Sequence, residues 1–274
     1  MLLGAGLVLA VSGCGVRLED DAPDIPLVPR RTPIAGEAAL LAMVTSLSQE
    51  SDTDSVPAGA AGDRVETLVD ALTELRVPET EIRRARDADP TWTEAEDVAV
   101  YEGALRECQP GLLPLVGSLA TTRVLRGPAD LWTEGDPSAW QGTDPARSAA
   151  QDTRAAIWSL TVVAARADGD ERSAVQAVVA GLQKLLSRQV VAGDDDGSTA
   201  PLGYDLEEGM ATADERATLV RETLSTLAAR YLALLPALVD DRDAAHEVVA
   251  WAAAPLGLGG PWQVEVESLP GLEG

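Results

Sequence analysis

The stretch TADERATLVRETLSTLAARYLALLP, Thr212–Pro236, decides how the chain folds. Thr212 and Glu215 stand three residues apart. At that spacing each side chain satisfies a backbone N–H that a helix start leaves free, the reciprocal capping box. Behind them Leu219, Val220, Leu224, Leu227, Tyr231, Leu234 and Leu235 recur every three or four residues, which makes one helix face apolar. Pro236 lacks a backbone donor and predicts a bend or a stop.

The same grammar extends outward. A last helix is expected from about Arg242 to Ala254, ended by Pro255. Upstream, Asp144-Pro145 reads as an N-cap and first helical residue, followed by Ala149, Ala156, Ile157, Leu160, Val163 and Ala164 on one face, with Gly169 as the stop. Ser173-Ala-Val-Gln176 reads as the next helix start, striped by Val175, Val178, Val179, Leu182, Leu185 and Leu186. Residues 192–203 form a long polar connection, with Asp194-Asp195-Asp196-Gly197 as a solvated turn. Four helices with short outer connections and a long middle one predict an up-down four-helix bundle with one crossover over 145–274.

Residues 35–126 read as a smaller helical region. Helices are expected over about 36–48, from about Asp63 to Val77-Pro78, from a second capping box at Thr93–Glu96 to about Glu107, and over 112–125. Strand alternation is not found, so the fold class is all-α. Between the two regions, 126–146 packs four turn signals into one stretch and reads as a boundary. Trp132 and Trp140 inside it are expected to staple the linker onto a helix face. The alternative is that they line, with Trp158, a small-ligand pocket between the halves.

The first residues carry a different message. Leu2 to Val11 is an apolar run of signal-peptide length, too short to span a bilayer as a helix, and Val11-Ser12-Gly13-Cys14 follows it as a lipobox. Residues 1–13 are therefore expected to be a signal peptide, with Cys14 the lipidated residue and the outer face of the bacterial cytoplasmic membrane the destination. No basic residue precedes Arg17, which predicts a translation start further upstream. Pro23, Pro26, Pro29 and Pro33 make 14–34 a Pro-rich tether. Some twenty residues of polyproline II at ~3.1 Å each reach about 60 Å. The segment reads equally as an arm lying on the domain through Ile25, Leu27 and Val28.

The formal net charge is −24, spread along the chain. Such a protein repels nucleic acid and anionic head groups, so membrane attachment rests on the lipid, and a partner is sought among envelope proteins. Phe is absent and aromatics are 3%, which leaves a core of Ala, Leu and Val, suited to closely packed helices. With Cys14 assigned to lipid, Cys108 is left alone and reads as a small buried hydrophobe.

Three segments together resemble a known family. They are Cys14-Gly15-Val16-Arg17-Leu18-Glu19-Asp20-Asp21-Ala22-Pro23 with Ile25-Pro26-Leu27-Val28-Pro29, then Leu202-Gly203-Tyr204-Asp205-Leu206, then Gly259-Gly260-Pro261 with Leu269-Pro270-Gly271-Leu272. In that order they look like the post-lipobox stalk, the lead-in to the third bundle helix and the closing tail of ferritin-like domains of unknown function in bacterial exported lipoproteins. The resemblance covers roughly 14–33 and 145–274. It implies a ferritin-like fold and leaves the biochemical role open.

A di-iron bundle needs a Glu on each of two helices and a Glu-x-x-His on each of the other two. This chain has one histidine, His246, and Asp243 stands three residues before it. A second Glu-x-x-His is impossible. His246 reads as a surface or cap-proximal residue paired with Asp243 or Glu247. A single-metal site built on Asp243, His246 and Glu247, or a Glu from a neighbouring helix, is the remaining metal reading; no cofactor is expected. Asp152, Glu171, Glu215 and Glu222 read as solvated helix carboxylates. There is no Asn, and Lys184 is the only lysine, so no phosphate-binding Gly-x-x-x-x-Gly-Lys loop exists. No Gly-x-Ser-x-Gly elbow occurs. With no complete catalytic constellation, the expectation is a non-enzymatic interaction or scaffold protein. The alternatives are a metal-binding or oxidoreductase-like protein with a degenerate carboxylate site, and a small-ligand binder.

Overall fold

Nine α-helices carry the described residues, and no strand occurs among them. A computed structural model describes residues 31–50, 60–128, 131–132, 135–197, 203–204 and 210–272. The signal-like run, Cys14, the tether as far as residue 30, residues 51–59 and Leu202, Asp205 and Leu206 lie outside the described residues. Among those described, no helix is long and apolar enough to cross a membrane.

The first group is α1 (Glu37–Gln49), α2 (Ala60–Glu74), α3 (Glu79–Arg86), α4 (Glu94–Glu107) and α5 (Leu113–Arg126). Helix α1 is the hub, touching α2, α3 and α4. Leu40, Met43, Val44 and Leu47 give it the buried stripe expected from their spacing. Gly36 caps it with φ +70°, and a Cβ there would lie 2.7 Å from the Glu107 carbonyl carbon, so only glycine lets α1 start against the end of α4. Thr93 and Glu96 form the predicted capping box of α4. Helix α3 is an addition to the expected elements. It has only Ile82 and Ala85 to bury, too few to register as a period, but Glu79 and Glu81 in its first turn and three arginines in its last suit the helix dipole.

The second group is α6 (Asp144–Arg166), α7 (Gly169–Gly193), α8 (Ala213–Leu232) and α9 (Arg242–Leu258). Helices α6 and α7 pack along each other, as do α8 and α9. Contacts of α6 with α8 and of α7 with α9 close the ring. Close approach depends on small residues: Ala146, Ala149 and Ala150 on α6, and Ala244, Ala245 and Ala252 on α9, are all fully buried. Thr212 and Glu215 form the predicted capping box of α8.

Four expectations are corrected. Gly169 does not end α6; it begins α7 with φ +48°. The Ser173 hydroxyl donates back to Gly169 O from inside the helix, and so caps nothing. Arg172 explains the tight corner, because its Nε donates to Ala164 O and Ala167 O and closes the end of α6. Pro255 does not stop α9, which continues to Leu258; a proline in the last turn forfeits one hydrogen bond, and Pro255 and Leu256 are both buried there. Asp195 is not merely solvated. It accepts from Arg154 Nη1 at 2.7 Å and from Gly197 N at 2.8 Å, and these bonds hold its carboxyl below the usual range.

Pro33–Gly274 forms one compact unit, because α9 also packs on α4 and α5 of the first group. Arg242 makes this join explicit. Its guanidinium donates to Cys108 O at 2.9 Å and Leu105 O at 3.4 Å, capping α4 from the start of α9.

Within the second group, Arg216 on α8 grips Glu171 on α7 at 2.8 and 2.7 Å, and this holds the Glu171 carboxyl below its ordinary range. A carboxyl depressed in the folded state adds stability above its unfolded pKa of about 4.3 and loses it as pH falls through the folded value. Arg216→Gln is therefore expected to lower the melting temperature at pH 7. The gap to the parent in thermal melts should close as the pH drops below about 4.

Candidate functional site on the last helix

Helix α9 is packed on by α4, α5, α7 and α8, so a polar residue it buries needs a partner there. The side chain of Asp241 caps its start, accepting from Ala244 N at 3.1 Å. The three sequence candidates, Asp243, His246 and Glu247, stand one turn apart, yet the structure sends them to three different places.

Asp243 is exposed. His246 is buried, 5% exposed, which corrects its expected surface position. Its partner is neither Asp243 nor Glu247: Nε2 lies 3.0 Å from Oε1 of Glu102 on α4. The Trp132 ring stacks on the imidazole, with centroids 4.3 Å apart and planes within 7°. Glu247 is 1% exposed. Its Oε1 accepts from Arg188 Nη2 at 2.6 Å, Arg188 Nε at 2.9 Å and Trp251 Nε1 at 3.2 Å, and its Oε2 accepts from Gly135 N at 2.8 Å. Among the described residues, no group of three His, Cys, Asp or Glu side chains is placed to hold a metal ion.

These contacts turn the turn-rich connection into a strap across α9. Trp132 Nε1 donates to His246 O at 3.3 Å, Arg188 Nη2 donates to Gly135 O at 2.8 Å, and Gln141 N donates to Asp241 Oδ2 at 2.7 Å. Trp140 stacks on Trp251 at 4.8 Å. Trp132 and Trp140 therefore do hold the connection to a helix face. Trp158 lies apart from both, exposed on α6 beside Gly203.

Between α6, α7 and α8, Thr153, Gln189 and Tyr231 form a neutral polar cluster beside the Trp251 ring of α9, whose Nε1 turns to the Glu247 carboxylate. Thr153 Oγ1 lies 2.5 Å from both Gln189 Oε1 and Tyr231 OH, and Tyr231 meets the Trp251 ring edge-on. Burial pushes the Tyr231 phenol up to about 12, against its bonds to Thr153 and Gln189. A hydroxyl, an amide, a phenol and an indole do not fit the carboxylate–histidine donor set of a di-iron centre. Asp152, expected to be solvated, faces Arg230 at 2.5 Å. Cys108 is buried, and burial raises its thiol despite the Arg242 guanidinium 3.7 Å away; a thiol so placed is a poor nucleophile.

Comparison of the chain with protein-family models, with curated proteins and with solved structures finds no match.

Sequence reasoning missed Glu102, Gly135 and Arg188. Each meets α9 across more than fifty residues of chain, and no local spacing signals such a pair.

Removing one partner of a buried ion pair strands the other. Glu247→Ala is expected to lower the unfolding free energy by about 3 kcal/mol or more. Asp243→Ala, one turn away but exposed, should cost less than about 1 kcal/mol. Urea denaturation followed by tryptophan fluorescence checks both, and equal effects would contradict the clamp.

Proposed function

We propose that this chain is an exported, lipid-anchored cell-envelope protein whose ferritin-like helical bundle carries no di-iron site and serves protein interaction or scaffolding. The apolar run ending in Val11-Ser12-Gly13-Cys14 carries the reading, because it supplies an export signal and an acylation site together. The tether after Cys14 gives the helical unit reach from the membrane. Support for a non-catalytic role comes from the ionisable groups gathered against α9: the buried His246 and Glu247 and the half-buried Glu102 and Arg188 are committed to one another or to the strap. The single histidine and the neutral interior polar groups argue the same way. A second reading, small-ligand binding, is favoured by a separate observation, a cleft of about 340 Å³ between α6 and α8.

Anchoring is tested by Cys14→Ser in cells. The parent should fractionate with membranes and the variant should be released; unchanged fractionation, or a mature chain whose intact mass retains Met1 and lacks acyl groups, overturns the anchor. The scaffold reading is tested by elemental analysis of protein purified without chelator. Stoichiometric iron, manganese or zinc overturns it.

A further inference from the structure

The α6–α8 cleft has features that packing alone does not require. Helix α6 turns Ala155 and Ala156 into it and α8 turns Leu227, which gives a short apolar floor. Ser159, Thr223 and Thr226 set three hydroxyls along the walls. Tyr204, from the α7–α8 connection, also lines the cleft, and its hydroxyl is buried with no hydrogen-bond partner among the described residues. A buried orphan hydroxyl costs stability unless something else completes it.

Charge selects what that is. At one end Asp152 and Arg230 neutralise each other at 2.5 Å. Two turns away, about 12 Å along α8, Glu222 lines the cleft and pairs with no described residue. The cleft thus offers one free negative charge, a row of hydroxyls and a small apolar floor. The chain around it, at net −24, draws cations and repels anions.

We infer that the α6–α8 cleft binds a small organic monocation of the amino-alcohol or amino-sugar class. The ammonium of such a ligand meets the Glu222 carboxylate. Its hydroxyls bond to Ser159, Thr223, Thr226 and the Tyr204 phenol, and its carbon skeleton covers Ala155, Ala156 and Leu227. A second charge on the ligand would find no partner, because Asp152 is already taken by Arg230. This inference rests on the small-ligand reading of the cleft and is independent of the anchoring and scaffold reading.

Titration calorimetry on the full-length chain in detergent tests it with three probes of one body: glucosamine, glucose and glucuronate. The expected result is saturable one-to-one binding of glucosamine, weaker by about tenfold or more for glucose and weaker again for glucuronate. Glu222→Gln should bring glucosamine down to the level of glucose. Ser159→Leu, which fills the cleft, should abolish both. Glu79→Gln, at an exposed position on α3, should change neither. The proposal is overturned if glucosamine shows no saturable binding, if Glu222→Gln leaves its advantage over glucose intact, if Glu79→Gln removes that advantage equally, or if glucuronate binds best.

Discussion

A carboxylate with almost no contact with water, Glu247, is the constraint around which the molecule is arranged. Taking such a group out of water costs several kcal/mol unless every lone pair is met. Here a guanidinium, an indole N–H and a backbone N–H meet it from three different segments: α7, α9 itself and the strap. None of the three can move without leaving the charge uncovered. The geometry of α7 against α9, and of the strap against both, is therefore fixed by a polar requirement. The apolar contacts around it supply bulk stability and are less particular about register. Because α9 also carries His246 toward α4 and Arg242 onto the α4 carboxyl end, the same helix ties the first group of helices to the second.

The way arginine is used follows from composition. The chain has 45 acidic and 21 basic side chains, and only one of the latter is lysine. Arg64, Arg123, Arg154, Arg188 and Arg216 each bind a carboxylate at or below the protein surface. A planar guanidinium with five donors suits such positions better than a strongly hydrated ammonium. Part of the positive charge is thus spent on internal joints, which leaves the net −24 of the chain the less balanced at its surface. An acidic surface around a rigid interior suits a protein that keeps away from anionic head groups while being held near them by other means, as the proposed anchor requires.

How much of this could be read from sequence depends on the range of the interaction. The capping boxes at Thr93–Glu96 and Thr212–Glu215 were legible because all their atoms lie within one turn. The apolar stripe of α8 was legible because its residues recur every three or four positions along one helix face. Helix α3 was not, since eight residues carry too little period, although its charge order held a usable sign. Gly169 misled because glycine with positive φ serves a helix end and a corner alike; Arg172, eight residues beyond Ala164, decided which. His246 misled for the opposite reason. The eye pairs it with Asp243 or Glu247, its neighbours on the helix, while its partner Glu102 lies 144 residues away. A buried position on a helix covered from four sides removes the local options, and that cover is a tertiary fact.

The Thr153–Gln189–Tyr231 cluster is one support for the proposed scaffold reading. Thr153 has one proton to give and lies near Ala149 O and Gln189 Oε1, both acceptors. The remaining proton comes from Tyr231, and burial keeps that phenol protonated far above neutral pH. The network is thus neutral over the physiological range, with no group that readily gains or loses charge. A cation placed there would have to shed its water for uncharged oxygens, without the carboxylates that make such an exchange favourable. Hydrogen bonds among Thr153, Gln189 and Tyr231 instead tie α6, α7 and α8 together through uncharged groups. Under the proposed reading, that stiffness is what a tethered module needs in order to hold a surface in a constant shape some distance from the membrane.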